Sequence, residues 1–151
     1  MRKMTYAMHF RGRTSLAASD SNSLRAAGSA ASCVVSTTIR HSGMETDLKS
    51  SDGDLAFLDS RLRLTGPHSF QEEGTITFGD ESEHILRFST LGEGHLSAGL
   101  EPGTMAGTAS WNIEGGEGQF GAARGVITSA FTLSDSGELN DFHCGQIFLP
   151  E

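Results

Sequence analysis

Apolar and polar residues alternate along most of this chain with the two-residue period of half-buried strands. "DLAFLDSRLRL" places Leu58, Leu62 and Leu64 on one face and Asp59, Arg61 and Arg63 on the other. "SFQEEGTITF" sets Phe70, Glu72, Gly74, Ile76 and Phe78 against Gln71, Glu73, Thr75 and Thr77. Similar strand-like patterning marks "YAMHF", "SCVVSTTIRHS", "HILRFSTLGEGHLSAG", "GTMAGTASWNI", "GVITSAFTL" and "DFHCGQIFL". Turn signals separate these runs, among them Asp52-Gly53, Gly66-Pro67, Pro102-Gly103 and Ser136-Gly137. The pattern predicts eight strands. No stretch carries a convincing helical stripe, so neighbouring strands must be antiparallel, because parallel ones need long crossovers. The segment 17–32, "AASDSNSLRAAGSAAS", holds twelve Ala, Ser or Gly and reads as a long flexible loop.

Eight antiparallel strands without helices have to hide their edges, and closing the sheet into a barrel does so completely. Sixteen of the nineteen glycines lie after position 50, several inside strand patterns (Gly74, Gly94, Gly107, Gly145), where glycine marks bulges and barrel corners. The densest run, "GGEGQFGAARG", reads as a tight turn leading into a coiled strand, with Phe120 tucked beneath it. The expected fold is therefore all-β, a single eight-stranded antiparallel barrel spanning 1–151.

Composition adds limits. The 151 residues suit one domain with a real core, and no apolar run approaches the ~18 residues of a membrane-spanning helix. The net charge of −8 is uneven: residues 1–25 are basic and the remainder strongly acidic. An acidic body repels phosphate backbones, which argues against nucleic acid as a partner. The basic, Ala/Ser-rich beginning allows two readings, a first strand plus loop or an organelle-targeting leader. The first goes with a cytoplasmic location. Cys33 and Cys144 do not make a disulfide framework and read as buried thiols, one inter-strand bridge remaining open.

The run Gly115, Gly116, Gly118, Phe120, Gly121, Ala122 and Gly125 resembles a glycine-rich signature of the allene oxide cyclase-like and dirigent-like barrels, which are calycin-type folds. The resemblance covers about residues 103–149. It implies an eight-stranded barrel with a pocket at one mouth, often a homodimer or homotrimer. Several such proteins steer or catalyse ring closure of apolar molecules, and others only bind them. No catalytic residue of those families can be placed on this sequence.

The candidate chemistry comes from ionisable groups on apolar faces. Asp141 and His143 are two apart and share a face with Leu139, Ile147 and Leu149. Glu72 shares a face with Phe70, Ile76 and Phe78. Facing inward, these three are candidate acid/base residues, since desolvation raises a carboxyl pKa; facing outward, they are solvated and inert. Arg61 and Arg63 are candidate anchors for a ligand carboxylate, or members of an outer ion-pair row. Phe78, Phe88, Trp111 and Phe131 are candidate ligand-contacting walls. The six histidines lack metal-site spacing, so neither a metal nor a cofactor is expected. The expected function is an isomerase or cyclase acting on an apolar small molecule in the lumen. A non-catalytic binding protein of the same fold is the alternative, and a fully packed structural barrel a third.

Overall fold

The computed structural model describes residues 1–17 and 22–151. Among the described residues eleven strands run in chain order: β1 (Arg2–Leu16), β2 (Ser23–Ala30), β3 (Cys33–Arg40), β4 (Gly43–Ser50), β5 (Ala56–Gly66), β6 (Ser69–Phe78), β7 (His84–Thr90), β8 (Gly94–Ala98), β9 (Thr104–Glu117), β10 (Arg124–Ser134) and β11 (Glu138–Leu149). Eight of them close a ring, β1-β2-β5-β6-β7-β9-β10-β11 and back to β1, with every neighbour antiparallel. The predicted barrel is present. An extra strand, β8, pairs with β9 and touches the start of β6, and β3 and β4 form a separate hairpin.

Three parts of the prediction are assigned differently by the structure: "HILRFSTLGEGHLSAG", read as one strand, divides into β7 and β8, and one predicted loop and one predicted barrel strand change roles. The segment read as a loop over 17–32 contains β2, a barrel strand hydrogen-bonded to β1 on one side and β5 on the other; residues 18–21 of that expectation lie outside the described residues. Its small residues fit the position: Ala26 and Ala30 turn inward and are almost wholly buried, and a Cβ on Gly28 would press on the main chain of Arg11 and Gly12 in β1. Pairing on both edges outweighs the weak strand preference of alanine. "SCVVSTTIRHS", by contrast, leaves the barrel and forms the first arm of the β3–β4 hairpin, whose residues are nearly all exposed. Tyr6, Met8 and Phe10 lie in β1, so the basic residues Arg2, Lys3, Arg11 and Arg13 belong to a barrel strand.

Alternation decides which residues fill the lumen. In β5, Ala56, Leu58, Ser60 and Leu62 are buried while Phe57, Asp59, Arg61 and Arg63 are exposed. The same alternation runs along β6, β10 and β11. One end of the barrel is stoppered: Phe120, on a single 3-10 turn after β9, packs against Phe78, and Phe78 meets Tyr6 edge-on. The middle is filled by Trp111 stacked on Phe88, with ring centroids 3.8 Å apart. The cysteines are free thiols. Cys144 points outward and is exposed and Cys33 is half-buried, which corrects the expectation of two buried thiols.

Candidate functional site

Above that packed middle the lumen opens into an apolar cavity of about 130 Å³. Leu24, Ala26, Leu62, Leu96, Phe131 and Leu139 line its walls, Thr14, Leu64, Pro67, Met105 and Leu133 ring it, and two carboxyl groups reach it, Glu72 and Asp141. Both are almost completely buried. Glu72 comes from β6 and Asp141 from β11, and three strands separate these on either way around the ring. The two carboxyl groups therefore approach the cavity from opposite walls.

Each has neighbours that fix it. Ser60 on β5 donates to Glu72 Oε2 at 2.7 Å. The Glu72 main chain is held as well: its N–H donates to Thr90 Oγ1 at 2.6 Å, and that hydroxyl donates back to the Glu72 carbonyl at 2.8 Å. This clasp sits where β6 and β7 part, just beyond their last paired residues, Glu73 and Ser89. On the other wall Ser129 donates to Asp141 Oδ1 at 2.5 Å. His143 Nε2 stands 3.0 Å from Asp141 Oδ2, within ion-pair range though off the line of a good hydrogen bond. Tyr6 Oη lies 3.2 Å from His143 Nδ1. A proton on Nε2, favoured by the facing carboxylate, leaves Nδ1 to accept from the tyrosine hydroxyl.

Electrostatics separates the groups. Burial, reinforced by the Asp141 charge and partly offset by the Ser60 and Trp111 donors, pushes Glu72 from 4.5 up to about 8. The Trp111 N–H lies close enough to favour the charged carboxylate without a well-aligned hydrogen bond of its own. Burial first, then the Asp141 charge, raises the Tyr6 hydroxyl well above its ordinary 10.0, so it stays a neutral donor.

The sequence-derived candidates divide accordingly. Glu72, Asp141 and His143 all face inward. Only the two carboxyls reach the cavity; the imidazole lies beneath, against Phe10, Trp111 and Tyr6. Phe131 is part of the cavity wall, whereas Phe88 and Trp111 are core below it and Phe78 belongs to the stoppered end. Arg61 and Arg63 are exposed on the outer wall, which removes them from the lumen; alternation along β5 sends them outward as surely as it sends Leu62 inward. They border a wider, open groove of about 490 Å³ with Gln71 and Glu73, and Arg63 donates to Gln71 at 2.7 Å. Ser23, Glu72, Ser89 and Thr90 line it too, so the groove runs from this charged outer surface to Glu72.

Tyr6, Ser60 and Ser129 complete the cluster and were not singled out from the sequence, because their partners lie 137, 12 and 12 residues away. A serine at an inward position of an otherwise apolar strand face was the available signal. Among the described residues no group of His, Cys, Asp and Glu is arranged to hold a metal ion, and no helix is long and apolar enough to cross a membrane. No family model, curated protein or solved structure matches this chain.

Proposed function

We propose that the protein is an isomerase or cyclase acting on a small apolar molecule held in the barrel mouth. The observation that carries this reading is the pair of buried carboxyl groups, Glu72 and Asp141, at an apolar cavity. Burying ionisable groups against leucine and phenylalanine is costly unless they are paired or used. A dry, shaped space contributes by holding a flexible molecule in one conformation, and a carboxyl group moves a proton. The scale is modest: an apolar protein cavity of ~150 Å³ accommodates benzene, so a single ring or a short chain fills this one.

The test is incubation with small unsaturated ketones, epoxides and dienes, followed by chromatographic analysis for rearranged products. Asp141→Asn should lower turnover by roughly 10²-fold, the usual scale for losing an acid or base, and Glu72→Gln, which keeps an N–H donor at that place, should lower it less. Compounds returned unchanged would overturn the enzyme reading.

A binding protein without chemistry is the second reading. It is favoured by the internal satisfaction of the cluster, since Ser60, Ser129, His143 and Tyr6 already occupy partners that a substrate would otherwise use. Benzene binding in the mouth without turnover of any compound would select it. Self-association fits either reading: Val35, Leu48, Ile39 and Met44 share one face of the β3–β4 hairpin, which a second copy would cover. Sedimentation equilibrium reads this directly, and a monomer at all concentrations would dismiss it.

A further inference from the structure

Resting on the pocket reading above, we infer that the cavity takes a small uncharged ketone, whose oxygen accepts a hydrogen bond from Glu72 while Asp141 removes a proton from a neighbouring carbon and returns it at another. Placement is the first ground. Groups reaching one cavity from opposite walls bracket a ligand between them, so the two can act on different atoms of one molecule. Donor count is the second. Asp141 has the Ser129 hydroxyl on one oxygen and the His143 Nε2 edge at the other, an environment that suits a carboxylate. Glu72 has one serine hydroxyl and an indifferently aligned indole. Two charged carboxylates at one apolar cavity repel, so one keeps its proton, and the donors leave that proton on Glu72. Its elevated pKa of about 8 agrees. The ionisable groups around Glu72 are Asp141 from β11, with His143 and Tyr6 behind it, and Arg61, Arg63 and Glu73 along the groove outside; β5, β7 and β9 also contribute the uncharged Ser60, Thr90 and Trp111.

The ligand's chemistry follows from that asymmetry. An anion would add its charge to that of Asp141 among leucines, and a cationic amine would offer Glu72 nothing to accept its proton. A pure hydrocarbon would leave the same donor unsatisfied. A carbonyl oxygen satisfies it, and polarising the carbonyl acidifies the adjacent C–H that Asp141 attacks. In a β,γ-unsaturated ketone that C–H bond breaks, the proton passes to an Asp141 oxygen, and the electron pair forms the dienol(ate) under the Glu72 hydrogen bond. The same proton then bonds to the γ-carbon, the double bond moves into conjugation, and no oxidant or co-reactant is consumed. His143 is outside the cavity and serves as a positioning residue for Asp141.

The intact protein should be tested with cyclohex-3-en-1-one, conjugation being followed by ultraviolet absorbance, and with cyclohexene as the matched hydrocarbon. The ketone should bind about tenfold more tightly than cyclohexene, the worth of one net hydrogen bond, and be conjugated faster than in buffer. Asp141→Asn should lower that rate by roughly 10²-fold. Glu72→Gln, which keeps an N–H donor, should lower it less. If Asp141→Asn fails to fold, the two measurements on the unaltered protein still decide the matter. Equal binding of ketone and hydrocarbon, or conjugation no faster than in buffer, overturns this inference while leaving the pocket in place. Failure of both compounds to bind overturns the pocket reading and this inference with it.

Discussion

His143 and Asp141 stand two residues apart on β11 and both turn into the barrel, with His143 Nε2 3.0 Å from Asp141 Oδ2. Neither is independent of the other. The imidazole lies 4.7 Å from the Phe10 ring and 4.6 Å from Trp111, centroid to centroid, so it also fills space. His143→Ala removes a partner from a buried carboxylate and leaves a void, which should cost on the order of 3–5 kcal/mol. Tyr6→Phe deletes only the hydroxyl next to Nδ1 and should cost about 1 kcal/mol. Urea unfolding at pH 7 reads both. A His143→Ala protein as stable as the parent would mean the imidazole neither pairs nor packs as described.

Glu72 makes stability depend on pH in a direction opposite to most carboxyl groups. Its folded pKa is about 8 against an ordinary 4.5, so between these values the folded protein holds a proton that the unfolded chain has released. Stability from this group is therefore full below about pH 4.5, falls as pH rises, and is lost by about pH 8. The loss is on the order of several kcal/mol for a shift of this size. Glu72→Gln should flatten the slope between pH 5 and 8, as measured by thermal or urea melts across that range. An unchanged slope would place the titration elsewhere.

Much of this site was legible in the sequence, for a physical reason. A strand shows its two faces through strict alternation, so Glu72 among Phe70 and Ile76, and Asp141 with His143 among Leu139 and Ile147, announced polar groups on buried faces. Direction was not legible, because a face with a carboxyl on it fits either side of a sheet until its neighbours are known. Nor were Ser60, Ser129 and Tyr6, which matter only through strands that fold back from elsewhere. The strands β2 and β3 were exchanged for the same cause. Ala26 and Ala30 look like loop residues until pairing with β5 turns them inward, while Val35 and Ile39 look like core until the hairpin is seen to leave the barrel.

The glycine run contains a turn that requires glycine, at Gly118. Gly118 has φ +61, and a Cβ there would stand 2.3 Å from the Glu83 carbonyl oxygen. Gly118→Val should cost about 1–3 kcal/mol and loosen the stopper, since Phe120 is only two residues on. Thermal denaturation checks the first effect, and the Phe120 ring resonances in NMR check the second. A fully stable variant would show that the turn tolerates a side chain.

The β3–β4 hairpin should be dispensable to the barrel. Val34, Ile39 and Met44 are 59, 81 and 67% exposed, and the hairpin contributes no residue to the buried core. Joining Cys33 to Ser50 through an Asn-Gly turn keeps the Ser51–Ser32 main-chain bond at its base. The shortened protein should unfold within about 1 kcal/mol of the parent, the range expected of changes away from the core. A large loss would reveal contacts that the isolated chain does not make.

Ala26 offers a way to close the cavity without touching the carboxyl groups. It is buried on β2 and lines the cavity with Leu24, Leu62 and Leu139. Ala26→Leu adds three carbons to a space of about 130 Å³. Their burial is worth ~2 kcal/mol, against which stand lost rotamer freedom and an overpacking cost of about 1–3 kcal/mol. These nearly cancel, so the melting temperature should move little while benzene no longer binds. Leu62→Ala should act the other way, destabilising by about 2–5 kcal/mol and admitting larger rings such as naphthalene. Titration followed through the Leu24, Leu96 and Leu139 methyl resonances reads binding in each variant, and calorimetry reads stability. Benzene binding equally well to Ala26→Leu and to the parent would place the ligand somewhere other than between Glu72 and Asp141.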